Sequence, residues 1–487
     1  MSLSGKTGSI ALAGGAALAG VLGLVATTYP EPLLALALGL FWGSVLLLGA
    51  RRFGRSVLAD DWLRRVVVLG LLVRPVIAVA HLAVGYLVFG QAVDFIEYFH
   101  TAAQFAQKLL EGDPDFIPAT EQVGIHTLGM ATLHRLGALA YLLFGPSMLS
   151  MLLYSAVLGF FGSCFFLRAF QLAFPGVPEV RFLALCLFFF PSLVFWSSLL
   201  GKDSWMYFTL GWATYSTVRL IHGVRLPDVL GLATSLVLAV LLRPPIGAVL
   251  VGAVGIAFAR GLQERLWVRG GEAYLRPVGY VFSVAVLGGM LLVGVGPLRD
   301  YVANPKEERG LVEGVLEAAV QRHVGLSTDE TTSLGSSLGV QIEEATVARS
   351  LQFLPGAMLT FLFRPLIFEA HNMVALVAAI DATGLIALVL WRWRHALAAL
   401  RALGRPFPAY CAALVLLLTA GMAFESNFGV IVRHRSSMVL PFVLLLLATP
   451  LRRRRPGAAS PPATGEVAPP AAGESTTGPG AARPEAP

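Results

Sequence analysis

Long apolar runs, separated by short turns rich in Pro, Gly and Arg, recur along almost the whole of this 487-residue chain. Most of them approach the roughly 20 residues that an α-helix needs to cross a lipid bilayer. They lack the alternation of apolar and polar residues that is typical of membrane β-barrel strands. With 56% hydrophobic and 13% charged residues, the chain is predicted to be all-α, a polytopic membrane helical bundle, because helices satisfy their own backbone hydrogen bonds in lipid.

The apolar pattern predicts about twelve transmembrane helices. The expected spans are residues 9–28, 33–49, 66–89, 149–170, 182–200, 205–221, 229–242, 246–259, 278–295, 373–390, 410–424 and 438–449. Residues 1–65 would form two extra N-terminal spans and a cytoplasmic loop, and residues 66–450 the main transmembrane domain. Residues 451–487, rich in Pro, Ala and Gly, are expected to form a disordered cytoplasmic tail.

Basic residues set the predicted orientation of these spans. The clusters are Arg51, Arg52, Arg55, Arg64 and Arg65; Arg219 and Arg225; Arg260, Arg265 and Arg269; Arg392, Arg394 and Arg401; and Arg452 to Arg455. With twelve spans they all fall on one side, which the positive-inside rule places in the cytoplasm together with both termini. Topology therefore explains the net charge of +7, and we expect no nucleic-acid partner. The expected location is the cell membrane, as a multi-pass protein, and in a bacterium the inner membrane.

The same orientation predicts which segments face outward. The two long outer segments are residues 90–131 and 297–371. Three shorter turns, at 201–203, 243–245 and 425–436, are also predicted to face outward. Two apolar stretches are too short or too interrupted by Pro to cross, and we expect them to lie at the membrane surface as interfacial helices. These stretches are residues 136–144 and 351–368.

Asp94 is the principal catalytic candidate. It lies where a predicted span leaves the bilayer, and Phe95, Tyr98 and Ala102 after it have the spacing of a helix. Partial desolvation at this position favours proton acceptance by a carboxylate, which could then deprotonate an acceptor hydroxyl. Glu97 is a second acid one turn further on. The alternative interpretation is a solvated acid that caps the following helix.

Four basic residues on the predicted outer side are candidates for binding an anionic substrate. They are Lys202, Arg243, Arg433 and Arg435. The orientation rule does not explain arginine on this side, and a guanidinium offers a planar fork to phosphate oxygens. Asp203 would cap the following helix or orient the acceptor. The alternative is contact with lipid headgroups or with nearby acids.

Metal ligands are not evident in the sequence. The three cysteines lie inside apolar runs, and histidines such as His371 and His434 have no partner at ligand spacing. We therefore assign no metal and no cofactor, and leave a divalent ion open.

The order of these features resembles the GT-C superfamily of multi-spanning, polyprenyl-phosphate-sugar-dependent glycosyltransferases. The resemblance covers about residues 66–449. Its motifs are Asp94 with Tyr98, Ala102 and Gly112; Phe144-Gly145-Pro146-Ser147; Pro191 and Ser197 before Lys202-Asp203; Arg243-Pro244; Phe363-Arg364-Pro365 before Glu369 and Asn372; and Asn427-Phe428-Gly429, Arg433-His434-Arg435 and Pro441. It implies that Asp94 is the catalytic base and that Lys202, Arg433 and Arg435 bind the donor phosphate. Many relatives have adjacent acids where this chain has Asp-Phe-Ile-Glu, which leaves the role of Glu97 open.

The expected function is therefore transfer of a hexosyl or pentosyl group, with inversion, from a polyprenyl-phosphate-linked donor to an exoplasmic acceptor. The acceptor would be a glycan, a lipid or a protein in cell-surface glycan assembly, and membrane lipids would surround the enzyme. A polymerase or ligase of lipid-linked polysaccharide is the nearest alternative. A transporter or flippase without chemistry is the alternative from another class; it would require charges at mid-membrane and symmetric halves.

Overall fold

The computed structural model describes residues 60–87, 93–112, 125–144, 147–268, 347–370, 373–423, 425 and 428–451. Within these ranges every regular element is a helix, which confirms the all-α prediction. Several predicted features lie outside the described residues: the two N-terminal spans, the span at 278–295, most of the outer segment 297–371 and the tail after residue 451.

We number the α-helices in chain order. They are α1 (Asp61–Leu87), α2 (Asp94–Glu111), α3 (Ile125–Phe144), α4 (Met148–Ala173), α5 (Glu179–Phe189), α6 (Pro191–Trp196), α7 (Lys202–His222), α8 (Leu226–Leu242), α9 (Pro244–Val268), α10 (Val347–Phe363), α11 (Met373–Trp391), α12 (Trp393–Arg401), α13 (Pro406–Met422), α14 (Phe428–His434) and α15 (Leu440–Leu447). A 3₁₀ turn at Ile367–Glu369 precedes α11, and a π-helical segment, Arg435–Val439, joins α14 to α15.

Four of the described helical runs are long and apolar enough to cross a membrane. They are α1, α4, the first part of α9 (Pro244–Gln263) and the run Gly429–Leu447. A fifth is added if α11 and α12, which meet at an angle of 66°, count as one bent span. The described residues thus support a helical membrane protein but do not confirm a count of about twelve spans.

The predicted span at 182–200 is divided into two shorter helices. α5 ends at Phe189, and Pro191 begins α6 after Phe190, which has an extended backbone (φ −65°, ψ 120°). A residue before proline is driven away from the helical conformation by the proline ring, so the sequence itself causes this break. α6 is only six residues long, and a short turn then leads into α7 at Lys202.

The prediction of an outer turn at 425–436 is wrong in one respect. Arg433 and Arg435 lie inside the continuous helical run Gly429–Leu447 rather than in a loop. Their charges lower the local hydropathy, but both side chains are largely buried and paired with acids on other helices. Polar residues with protein partners can continue a membrane helix that a hydropathy profile would end.

The predicted interruption of residues 351–368 by proline is also partly wrong. Pro355 lies inside α10, which continues to Phe363, and only the Arg364-Pro365 pair ends it. The predicted amphipathic helix after Asp94 is confirmed as α2, which buries Phe95, Ile96, Ala102 and Ala106.

Close packing of α4 against α7 fixes the position of the helix that carries Asp203. A Cβ atom added to Gly211 of α7 would lie 2.7 Å from the carbonyl oxygen of Gly162 in α4. A Cβ added to Gly162 would lie 2.6 Å from the ring of Tyr207. Small residues at these positions allow the two backbones to approach closely, as is common between membrane helices. The Phe166 ring then packs between Tyr207 and Phe442, which ties α15 to the same pair.

Candidate functional site

Asp203 is the centre of a charged cluster at the end of the bundle where α8 ends and where α7 and α9 begin. It is the second residue of α7, and its side chain is wholly buried (0% exposed). Its Oδ1 accepts a hydrogen bond from Nη2 of Arg243 at 3.2 Å, and its Oδ2 accepts one from Nε of Arg433. The Ser437 hydroxyl lies 3.5 Å from Oδ1. Both carboxylate oxygens are therefore occupied by fixed donors.

The electrostatics of Asp203 favour its charged form. Burial raises the pKa of its carboxyl group, but the positive charges of Arg433 and Arg243 outweigh burial and hold the pKa below the usual value of 3.8. The side chain is consequently ionised at neutral pH and is a poor proton acceptor. Its geometry suits a different role, that of holding two guanidinium groups in fixed orientations.

Asp94 binds the same arginine from the other side but in a different environment. It is the first residue of α2, after Val93 with an extended backbone. Its Oδ2 accepts a hydrogen bond from Nη1 of Arg433 at 2.9 Å, and its side chain is 59% exposed. Its Oδ1 has no hydrogen-bond partner in the part of the chain that the structure describes. Arg433, itself only 15% exposed, thus bridges one buried and one accessible carboxylate.

Arg243 occupies the single-residue connection between α8 and α9 and contacts two different helices. Besides Asp203, its guanidinium contacts Nε2 of His434, with Nη1 at 2.6 Å. A guanidinium has no acceptor atom, so His434 accepts through Nε2 and carries its proton on Nδ1. We call Asp94, Asp203, Arg243 and Arg433 the arginine–carboxylate cluster.

Lys202, the first residue of α7, lies beside this cluster and faces α3. A Cβ atom added to Gly129 of α3 would lie 3.2 Å from the Lys202 ammonium nitrogen. Burial, and after it the positive charge of Lys202, lower the pKa of His134 on the same helix, which keeps that imidazole neutral. Lys202 thus places a positive charge against α3, next in sequence to Asp203.

Two aromatic side chains border Arg433. A Cβ atom added to Gly201 would lie 3.4 Å from Nη2 of Arg433 and 3.4 Å from the ring of Tyr98. The guanidinium carbon of Arg433 lies 5.9 Å from the centre of the Trp196 ring. Burial and the adjacent Asp94 carboxylate raise the pKa of Tyr98, so its hydroxyl stays protonated. An apolar border of this kind strengthens the electrostatic interactions of the charged groups inside it.

Arg435 lies apart from the arginine–carboxylate cluster. Its side chain is 1% exposed, and its Nη2 pairs with Oδ2 of Asp381 in α11 at 3.3 Å. Its Nη1 donates to carbonyl oxygens at the end of α10, among them that of Arg364 at 2.8 Å. Two residues of helix rotate a side chain by about 200°, so Arg433 and Arg435 necessarily point in opposite directions. Glu97 is exposed on α2, and the described residues include no ion pair between Glu97 and Arg433 or Arg435.

The structure therefore brings together Asp94, Asp203, Arg243 and Arg433, with Lys202 adjacent, from four separate parts of the sequence. It adds three residues that the sequence prediction does not assign to the site: Tyr98 and His434, which it names only in motifs, and Ser437. The sequence signal for Ser437 is its spacing, because it lies one helical turn after Arg433. In the structure its hydroxyl donates to the Arg433 carbonyl at 2.7 Å. Among the described residues, no group of three or more His, Cys, Asp or Glu is placed to hold a metal ion.

Comparisons with known proteins add no assignment. No protein-family model matches the chain, and neither a curated protein nor a solved structure matches it.

Proposed function

We propose that this protein is an integral-membrane glycosyltransferase that uses a polyprenyl-phosphate-linked sugar and an acceptor hydroxyl on the exoplasmic side. The observation that carries the proposal is the pair of unequal carboxylates on Arg433. Among the residues that the structure describes, Asp94 is exposed and has one oxygen without a hydrogen-bond partner, whereas Asp203 is buried and has both oxygens bonded. One acid can therefore exchange a proton with a substrate, and the other holds two phosphate-binding groups in place.

In the proposed reaction, Oδ1 of Asp94 accepts the proton of the acceptor hydroxyl as the hydroxyl oxygen attacks the anomeric carbon. A new glycosidic C–O bond forms while the bond between the anomeric carbon and the phosphate oxygen breaks. The phosphate leaves with the bonding electron pair. Arg433 and Arg243, held by Asp203, stabilise the added negative charge, and direct displacement inverts the anomeric configuration.

Asp94 and the donor phosphate would compete for Arg433. In the structure Nη1 of Arg433 binds Asp94 at 2.9 Å. A phosphate oxygen that takes this donor would release the Asp94 carboxylate, which would then have both oxygens available for the acceptor.

The test is Asp94→Asn in purified protein, with two measurements. Turnover should fall by about 10² to 10⁴-fold, the usual contribution of a general base. Binding of polyprenyl phosphate should be kept or become up to about fivefold tighter, because a competing exposed carboxylate is gone.

Glu97→Gln is the matched control, since it removes the same charge one helical turn away on the exposed face of α2. It should leave both turnover and binding near the wild-type values. Full turnover in Asp94→Asn would refute the assignment of the base. Loss of both binding and turnover would show that Asp94 only holds Arg433 in position.

The donor site has its own test. Arg243→Met should raise the donor KM and weaken the binding of polyprenyl phosphate, with a smaller change in the KM of the acceptor. Arg435→Lys serves as the control, because Arg435 pairs with Asp381 away from the arginine–carboxylate cluster. Equal loss of donor binding in both variants would contradict this division.

A polymerase or ligase of lipid-linked glycans would use the same residues with a different acceptor, so the identity of the product separates it from a transferase. Transport is the second class of function, and the buried charges Arg74 and Asp381 are the observation in its favour. Both have fixed protein partners, however: Arg74 binds hydroxyl and carbonyl oxygens, and Asp381 binds Arg435. Fixed pairing favours structural roles for these two charges over a moving-ion pathway.

A further inference from the structure

Helix α1 carries two polar side chains and one glycine on a single stripe. Arg74, His81 and Gly85 are seven and four residues apart, so they share one face of the helix. All three are buried, although they belong to a candidate membrane span. Buried polar groups within a span require an explanation, because each costs free energy unless it is bonded.

Arg74 binds the segment that precedes the Lys202-Asp203 turn. Its Nη1 donates to the hydroxyls of Ser197 at 2.6 Å and Ser198 at 2.9 Å. Its Nη2 donates to the Ser163 hydroxyl at 3.0 Å and to the Gly159 carbonyl at 3.2 Å, both in α4. No carboxylate contacts this guanidinium among the described residues. The planar Arg74 guanidinium therefore fixes the position of Ser197 and Ser198 relative to α4, because its hydrogen bonds to both can form in only one orientation.

His81 binds the same segment two turns further along α1. Its Nε2 donates a hydrogen bond to the Phe195 carbonyl oxygen at 2.9 Å. Its ring packs edge-on against the Phe195 ring, with the two ring centres 3.9 Å apart. Phe195 is in α6, the six-residue helix between the Pro191 break and the turn into α7. A helix this short has little stability of its own. Arg74 and His81 therefore add fixed hydrogen bonds to a segment that has few of its own.

Gly85 contacts both neighbours of Asp94. A Cβ atom added to Gly85 would lie 2.5 Å from Cζ of Phe95 and 3.3 Å from Cγ2 of Val93. Phe95 is buried at 5% exposure, so its ring has little space into which to move. Val93 and Phe95, which flank Asp94 in sequence, thus both pack against Gly85 of α1.

We infer that α1 is the positioning element of the site. Gly85 sets the place of Asp94, while Arg74 and His81 set the place of the segment that leads to Asp203. One helix would thus fix the distance between the exposed base and the buried anchor of the two arginines. This inference rests on the proposed function for its kinetic consequences, but its geometric consequence is independent of any activity.

The kinetic test separates the two ends of α1. Gly85→Ala should lower kcat by about tenfold to a hundredfold, because a displacement of about 1 Å at a reacting group has effects of that size. It should leave the donor KM unchanged. His81→Phe keeps a ring beside Phe195 but loses the hydrogen bond, and it should raise the donor KM about threefold to tenfold with little change in kcat.

A double-mutant cycle tests whether Gly85 acts through Asp94. In the Asp94→Asn background, Gly85→Ala should have no further effect on the residual turnover, because coupled residues are not additive. Gly252→Ala in α9 is the matched control, since an added Cβ there meets nothing within 4 Å. A Gly85→Ala effect of equal size in both backgrounds would overturn the positioning role of Gly85.

A crosslinking experiment tests the geometry without any substrate. Tyr98→Cys and Gly201→Cys place thiols on either side of the site, in a chain whose native Cys164, Cys186 and Cys411 are replaced by alanine. A short bifunctional thiol reagent should join them readily in the otherwise unchanged chain, and more slowly with Gly85→Ala or His81→Phe but not with Gly252→Ala. Unchanged crosslinking in all three variants would overturn the inference. Changed crosslinking in a protein with no transferase activity would refute the proposed function alone.

Discussion

Asp94 and Asp203 bind the same arginine, so replacing each with asparagine compares an exposed carboxylate with a buried one. The substitution keeps the shape of the side chain and removes only the charge. Both acids contact Arg433, through Nη1 and Nε respectively. Their exposures are 59% and 0%. We predict that Asp203→Asn destabilises the protein strongly, whereas Asp94→Asn leaves its stability almost unchanged.

The magnitudes follow from what each change leaves behind. Removal of one partner from a buried ion pair typically costs about 3–5 kcal/mol, because the remaining charge stays desolvated. Asp203→Asn leaves two such charges, Arg243 and Arg433. Removal of an exposed partner costs only about 0–1 kcal/mol, since water and salt already screen the pair. The expected difference between the two variants is therefore several kcal/mol.

Thermal unfolding of the purified variants in one detergent would measure this difference, with chemical denaturation as a second method. Asp94→Asn should unfold close to the wild-type temperature, and Asp203→Asn many degrees lower or with poor recovery of folded protein. Equal stabilities for the two variants would refute the interpretation of Asp203 as a buried anchor. A greater loss for Asp94→Asn would contradict the assignment of exposed and buried roles altogether.

Three further predictions concern pH, a second ion pair and helix packing. The pKa of Asp203 in the folded protein lies below the usual 3.8. Its contribution to stability should therefore be complete above pH 3.8 and lost as the pH falls through the lower pKa of the folded state. Acid unfolding should show this loss in wild type but not in Asp203→Asn. Arg435→Met alone should destabilise the protein by about 3–5 kcal/mol by stranding the Asp381 charge, and adding Asp381→Leu should recover most of the loss in thermal unfolding. Gly211→Val should reduce the yield of folded protein, because its Cβ would lie 2.7 Å from the Gly162 carbonyl, whereas Gly252→Val should not.

Much of the architecture was predictable from apolar periodicity. The helical class and the amphipathic helix after Asp94 agree with the structure. The span predicted from residue 205 is also present, but its helix begins three residues earlier, at Lys202, inside the predicted turn at 201–203. The break before Pro191 follows from local stereochemistry. Hydropathy alone could not place the start of the last helical run, because it scores Arg433 as though that side chain faced lipid. The partners of Arg433, Asp94 and Asp203, lie more than two hundred residues away in sequence, so a hydropathy window of one helix length does not include them.

The charged cluster shows a second limit of sequence reasoning. Grouping Arg433 with Arg435 treats neighbouring cations as equivalent, yet helical rotation of about 200° sends one toward Asp203 and the other toward Asp381. This separation was available from the sequence once the segment was taken as a helix instead of a turn. The difference in exposure between Asp94 and Asp203 was not, because it depends on which helices cover each acid.

The same difference in exposure bears on how a membrane protein can keep a reactive carboxylate beside arginine. A fully buried pair fixes geometry but cannot exchange protons, and a fully exposed pair is too weak to hold geometry. Arg433 combines the two conditions, because Asp203 fixes its Nε side while Asp94 occupies its Nη1 side at the surface. An anionic substrate could displace the exposed acid without disturbing the buried one. The arginine would then remain in place through the exchange, which is the property that a phosphate-dependent transferase needs from its donor site.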